Sequence, residues 1–184
     1  MYINDIQLDL ESEVLIYADD TTLLAFGKNP VETASILNRD LRHISDWAKL
    51  WKISFNADKS RDKIFSEKSF PYNPDLLIDG EIIKQVTVHK YLGLILSSNL
   101  DWSFHVQYVC LRVQNKLAVL RSIAGLQRRT LDLLYKIQVR SIIDNALPVY
   151  WHTLRVSEKN RFEQLQYKSA KIVTGALHLT SREK

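Results

Sequence analysis

The chain has 184 residues, 46% of them hydrophobic and 25% charged, with a formal net charge of +4. That length supports one fair-sized domain or two small packed lobes, and the composition is that of an ordinary soluble globular protein. No apolar run approaches the roughly 20 residues of a membrane span, no signal peptide opens the chain, and the lone Cys110 excludes an internal disulfide or a cysteine-based zinc site. An intracellular location in nucleus or cytoplasm, with no membrane partner, is the expectation.

Charge is unevenly spread. Residues 1–102 hold 11 Lys and Arg against 16 Asp and Glu, whereas residues 103–184 hold 14 against 5. An acidic first part suits a metal-binding lobe, and a basic second part suits a surface that lies on phosphates. A lysine-rich helical surface with no ligand has the same composition.

Met1 to Ile6 form a short apolar start around Asn4-Asp5, followed by an acidic loop with Asp9, Glu11, Ser12 and Glu13. Two β-prone runs then flank Asp19-Asp20: Glu13 to Tyr17 before it and Thr21 to Phe26 after it. Each run is too short for a helix, so the pair reads as a β-hairpin with two carboxylates at its tip. Both strands are apolar on both faces, which predicts a place in the middle of a sheet. Adjacent carboxylates repel, and a divalent cation relieves the repulsion; aspartate is also a common turn former in its own right.

Asn29 and Pro30 are an N-cap and a first helical residue. Ala34, Leu37, Leu41, Ile44, Ala48 and Trp51 then recur at helical spacing and predict one buried face, with Asp40, Arg42, Asp46 and Lys49 on the wet side. Trp47 and Trp51 read as core. Ile53 to Phe55 and Lys63 to Phe65 predict two short strands around the turn Asn56 to Ser60, and residues 66–75, with Pro71 and Pro74, predict a surface loop. Leu76 to Ile78, Asp79-Gly80 and Glu81 to Ile83 form a hairpin signal with a type I′ turn. Val86 to Leu96 predicts a strand pair or one long bent strand, with Gly93 marking a bulge or a close backbone approach. His89 reads as a strand-edge histidine.

After a break at Ser97 to Asp101 the period becomes helical. A first helix starts near Trp102 or Ser103 with Val106, Val109, Val113, Leu117, Leu120 and Ala124 inward, and Arg112, Lys116 and Arg121 off that face. A second opens at Arg128-Arg129-Thr130, turns Leu131, Leu134, Tyr135, Ile142, Ile143 and Ala146 inward, and stops before Pro148. A third is capped by Ser157, turns Phe162, Leu165, Ile172 and Val173 inward, and closes at Gly175. Together they predict a small bundle, with the domain boundary near residues 97–102. Ser181 to Lys184 are expected to fray.

Tyr17-Ala18-Asp19-Asp20 between apolar strands resembles the metal-binding palm motif of reverse transcriptases, the RNA-directed DNA polymerases. The order of elements is most similar to the jockey-like retrotransposons that lack long terminal repeats. Tyr2-Ile3-Asn4-Asp5 resembles the segment before that hairpin, with Ile6 where the family usually shows Leu. Asn56-x-x-Lys59 resembles the turn near the active site, and Lys90-Tyr91-Leu92-Gly93 resembles the primer grip.

The resemblance implies an α+β fold. Residues 1–98 would be the C-terminal part of a palm, an antiparallel sheet with a packed helix, and residues 99–184 a helical thumb-like bundle and its continuation. It implies that Asp19 and Asp20 hold Mg²⁺ and that Tyr17, Ala18 and Asn56 shape the site. Lys59 would lie near the incoming triphosphate as a catalytic group, and Tyr91, Leu92 and Gly93 would hold the primer end. Arg112, Lys116, Arg121, Arg128 and Arg129 are the candidate phosphate contacts. The implied partners are an RNA template, a DNA primer and deoxynucleoside triphosphates, for nucleotidyl transfer with two metals.

The family's further metal-binding aspartate and its fingers would precede the hairpin, where the sequence at hand offers no match. The expectation is therefore a fragment that does not polymerise alone. Two other readings stand beside it. One is a non-catalytic nucleic-acid binder. The other is a structural or interaction remnant that self-associates through an exposed sheet.

Overall fold

A computed structural model describes residues 6, 9–66, 68 and 73–176. The segment Tyr2 to Asp5, part of the loop with Pro71, and Ser181 to Lys184 lie outside the described residues. The chain is mixed α/β and divides into two compact units, Met1–His89 and Lys90–Lys184. The division falls ahead of the change from strand to helix at 97–102, because β7 (Leu94–Ser97) packs on α2 (Ser103–Ser122) within the second unit.

In the first unit, β1 (Glu13–Tyr17) and β2 (Asp20–Leu24) form an antiparallel hairpin. Among the described residues it is a two-stranded sheet by itself, which overturns the place expected for it in the middle of a larger sheet. Leu15 is 41% exposed and Tyr17 64% exposed. Apolar strand faces show that a strand can be covered, but the covering element is not encoded locally.

Helix α1 (Pro30–Trp51) begins at Asn29, whose Oδ1 accepts the Glu32 N–H at 2.9 Å, with Pro30 in the first turn. Its face of Ala34, Leu37 and Leu41 packs with Ala57, Leu76, Ile78 and Ile83, and Leu23 and Phe55 close the edge of this core. Asn38 fastens β4 (Leu76–Ile78) to α1: its Oδ1 accepts the Leu77 N–H at 2.9 Å and its Nδ2 donates to the Asp75 carbonyl at 2.9 Å. Two expectations for α1 fail. Trp51, at the last turn, is 46% exposed, and Asp40 is fully buried rather than on the wet side.

β5 (Glu81–Gln85) lies between β4, which it pairs antiparallel, and β3 (Arg61–Asp62), which it pairs parallel. Asp79 and Gly80 both have positive φ, 49° and 85°, as a type I′ turn requires. The strand expected at Ile53 to Phe55 is absent, because Phe55 serves the core from an irregular segment. The strand expected at Lys63 to Phe65 starts and ends earlier, at Arg61 and Asp62, where β5 offers a partner.

β6 (Val88–Tyr91) and β7 form a second two-stranded pair, isolated among the described residues. Leu92 and Gly93, with φ of 45° and 88°, are its turn; Gly93 is a turn residue and not a bulge. The second unit's core joins Val106, Val109, Val113, Leu117 and Leu120 of α2 to Leu131, Val139, Ile143, Tyr150, Phe162 and Leu165.

The second predicted helix is broken into pieces: α3 (Arg128–Tyr135), a π-helical turn (Lys136–Arg140), α4 (Ser141–Asp144) and, past Ala146, α5 (Leu147–Tyr150) with a 3₁₀ turn (Trp151–Thr153). Pro148 lies in the first turn of α5. Helix α6 (Val156–Thr174) starts at Arg155, not Ser157; the Arg155 N–H donates to Glu158 Oε2 at 2.9 Å, and Gly175, with φ of 67°, closes it.

Candidate functional site

The register of β1 and β2 pairs Tyr17 with Asp20 and leaves Ala18 and Asp19 as a two-residue turn. Ala18 has φ of 54°, a left-handed conformation that costs a non-glycine residue about 1 kcal/mol. The strain is held where the two carboxylates meet, and Tyr17, Ala18, Asp19 and Asp20 are all exposed. Two adjacent carboxylates at an open tip suit Mg²⁺, which takes one or two protein carboxylates and leaves its other positions to water and phosphates. Among the described residues no third His, Cys, Asp or Glu joins them into a metal-binding group.

Asp40 holds the base of this hairpin. Its Oδ2 accepts the Ser12 N–H at 2.7 Å and the Glu11 N–H at 3.1 Å, just before β1 begins. Arg39 Nε lies 3.5 Å from the other oxygen, and the Arg39 guanidinium also pairs with Glu11. Burial by itself would push the Asp40 carboxyl up. The hydrogen bonds from Ser12 and Glu11 and the Arg39 charge outweigh it and hold the group below the usual carboxylate range. Asp40 was missed as a positioning residue, although a signal existed: it stands three residues after Leu37 and four before Ile44, bordering the apolar stripe.

Asn56 and Lys59 are joined by a turn. Asn56 Oδ1 accepts the Lys59 N–H at 3.0 Å, and the Asn56 carbonyl accepts the Ser60 N–H at 3.0 Å. Ala57 is buried inside this turn, and the Lys59 side chain is exposed. The spacing Asn-x-x-Lys is thus that of an Asx-stabilised turn which presents a lysine. No hydrogen bond or ion pair joins Lys59 to Asp19 or Asp20. Both segments instead root in one core, through Leu23 and Phe55.

In the second unit, Tyr91, Leu92 and Gly93 form the tip of the β6–β7 hairpin, with Leu92 46% exposed. His105 ties this hairpin to α2: its Nδ1 accepts the Ile95 N–H at 3.2 Å, and its ring meets Tyr150 edge-on at 4.8 Å. Nothing in the local sequence distinguishes His105 from a surface histidine.

Arg112, Lys116 and Arg121 are exposed along α2, a helix without Asp or Glu. Arg112 lies 5.5 Å, and Lys90 5.0 Å, from the Tyr108 ring. Arg128 and Arg129 begin α3 and line a cleft of about 570 Å³ with Asp132, Tyr135, Ala170, Val173 and Thr174. The five cations therefore fall into two groups, one on α2 and one at this cleft.

No family model matches the chain, and no solved structure matches it. Among curated proteins, the chain is 29% identical over 174 residues to an RNA-directed DNA polymerase from the mobile element jockey of Drosophila melanogaster, covering 90% of this chain and 19% of that protein. It is 28% identical to the jockey polymerase of Drosophila funebris, with the same coverage. It is also 26% identical to a probable RNA-directed DNA polymerase from transposon BS of Drosophila melanogaster, over 86% of this chain and 18% of that protein. The chain spans about a fifth of the length of these relatives. It is a homologue of one segment of the RNA-directed DNA polymerases of jockey and other retrotransposons without long terminal repeats.

Proposed function

We propose that this chain is the metal-holding and primer-gripping segment of a retrotransposon RNA-directed DNA polymerase, with residues 1–98 as the C-terminal part of the palm and 99–184 as the thumb and its continuation. The observation that carries the reading is the pair Asp19–Asp20 on the strained, exposed turn of a hairpin anchored at its base by buried Asp40. The parent reaction joins a primer 3′-hydroxyl to the α-phosphorus of a deoxynucleoside triphosphate on an RNA template and releases pyrophosphate. Bound Mg²⁺ would supply the charge that stabilises the attacking and leaving oxygens.

In this reading Asp19 and Asp20 hold the metal, and Tyr17 and Ala18 form the floor beside it. Asn56 fixes the turn that offers the Lys59 ammonium to the triphosphate. The turn of Tyr91, Leu92 and Gly93 lies along the primer end. Among the described residues no third ligand joins the two carboxylates, which leaves two-metal geometry incomplete; in this reading the isolated chain grips a primer-template but does not extend it.

Binding of Mn²⁺, used as a paramagnetic probe with primer-template and nucleotide present, tests the metal site. Broadening of the Ala18 and Thr21 amide signals that disappears in Asp19→Asn/Asp20→Asn supports it; equal broadening in the variant removes it. A second reading, a non-catalytic nucleic-acid binder, is favoured by the acid-free helix α2 with Arg112, Lys116 and Arg121. It keeps salt-sensitive binding and loses the Mn²⁺ effect.

A further inference from the structure

The β3–β5–β4 sheet has two unlike faces. Leu76, Ile78, Ile83 and Asp62 are buried, on the side where β4 meets α1. The register sets Arg61 beside Lys84 and Leu77 beside Ile82 on the other side. Leu77 is 44% and Ile82 61% exposed, and Arg61 and Lys84 are exposed as well. The outer face is thus an aliphatic pair continued by a basic row.

One further cation, Lys63, and the neutral imidazole of His89 extend that row. Lys63, two residues after Arg61, donates from Nζ to the Thr87 carbonyl and lies 5.5 Å from the Phe65 ring. His89, two residues after Thr87, is half-buried. Burial, and then the nearby Arg61 and Lys63 charges, hold its imidazole below the ordinary value. Burial likewise lowers Lys63. No ion pair among the described residues engages Arg61, Lys63, Lys84 or His89. Like charges gathered without a counter-charge are relieved by an anion.

We propose that this outer face, with Arg61, Lys63, Lys84 and His89, binds the phosphodiester backbone of a single nucleic-acid strand. Phosphates lie along the basic row. The bases turn toward Phe65, an exposed ring of the kind that single-strand sites combine with positive charge, and toward the exposed aliphatic pair Leu77 and Ile82. An acidic peptide would use the cations and leave the apolar residues without purpose. The surface is separate from the aspartate hairpin and does not rest on the polymerase reading.

The test is anisotropy of a labelled 20-nucleotide single strand with the whole chain, across a salt series, for the wild type and for Lys84→Gln/His89→Gln. Among the described residues neither the Lys84 nor the His89 side chain makes a hydrogen bond or an ion pair, so circular dichroism should show an unchanged fold. The expected result is about a tenfold loss of affinity and a log–log salt slope shallower by roughly 0.7 for the one charged phosphate contact removed, that of Lys84. Lysine acylation of the wild type, with and without the strand, is the independent readout, and it should protect Lys63 and Lys84 but not Lys49. Unchanged affinity and slope with no protection overturns the proposal. Equal displacement of the strand by a deoxynucleoside triphosphate or by polyglutamate also overturns it, since the face would then read charge alone.

Discussion

The buried carboxylate of Asp40, in the middle of α1, accepts the backbone N–H of Ser12, 28 residues earlier in the chain, at 2.7 Å. A second N–H, from Glu11, reaches the same oxygen. One side chain therefore satisfies the backbone at the entry to β1 and sets where the aspartate turn emerges. Asp40→Ala leaves two donors without a partner, and about 3 kcal/mol of stability should be lost. Urea unfolding of the first unit, followed by Trp47 and Trp51 fluorescence, measures this. A loss no larger than that of an exposed substitution such as Asp46→Ala would remove the anchor role.

The same carboxylate has an acid signature. Its folded value lies below the ordinary 3.8, so the unfolded chain binds its proton more readily. The stability it contributes is present above the unfolded value and is lost as pH falls through the folded one. Unfolding free energy compared between wild type and Asp40→Asn should show a difference that is constant near neutrality and closes below about pH 3.8.

His105 makes the second unit acid-sensitive at a milder pH. Its ring is buried, accepts the Ile95 N–H and is held below 6.5 by burial. The neutral form is the folded form. Stability is full above the unfolded value and falls as pH drops below 6.5, because the unfolded state takes up the proton. Denaturant midpoints at pH 7 and pH 5 should differ more for wild type than for His105→Gln. Equal differences would show that the imidazole is not the sensitive group.

Gly93 and Gly125 should respond oppositely to alanine. Gly93 has φ of 88° in the β6–β7 turn, so Gly93→Ala should cost about 1 kcal/mol through the left-handed backbone alone. A Cβ on Gly125 meets nothing within 4 Å and its φ is not positive, so Gly125→Ala should be neutral or slightly stabilising. Thermal melting of the two variants side by side decides it.

Primer extension by the purified chain on an RNA template with Mg²⁺ should give no product above the level of Asp19→Asn/Asp20→Asn. Extension by the wild type alone would mean that two carboxylates and a partner group from the same chain suffice. The completeness of the metal site would then have to be revised.

Local chemistry was legible. The Asn29–Pro30 helix start, the Asp79–Gly80 turn, the tip carboxylates and the Gly175 stop each follow from residues within one turn of each other. What sequence could not supply was non-local. Ile53 to Phe55 has strand composition but no partner. Asp40 looks like a surface charge until the loop that needs it folds onto α1. Among the site residues, the pairing of Asn56 with Lys59 was visible in spacing, whereas the division of the five cations between α2 and the α3–α6 cleft was not.

The π turn at Lys136–Arg140 carries one residue more than an α-helix would need. That surplus lets Leu131, Val139 and Ile143 share a face. The helix is therefore asymmetric toward changes in chain length. Deleting one residue from the turn would relax it to an α-helix and keep Leu131 and Ile143 in phase. Inserting one would rotate everything downstream by about 100° and turn Ile143 away from the core. This stretch can shorten by one position and keep its fold, but it has no room to grow.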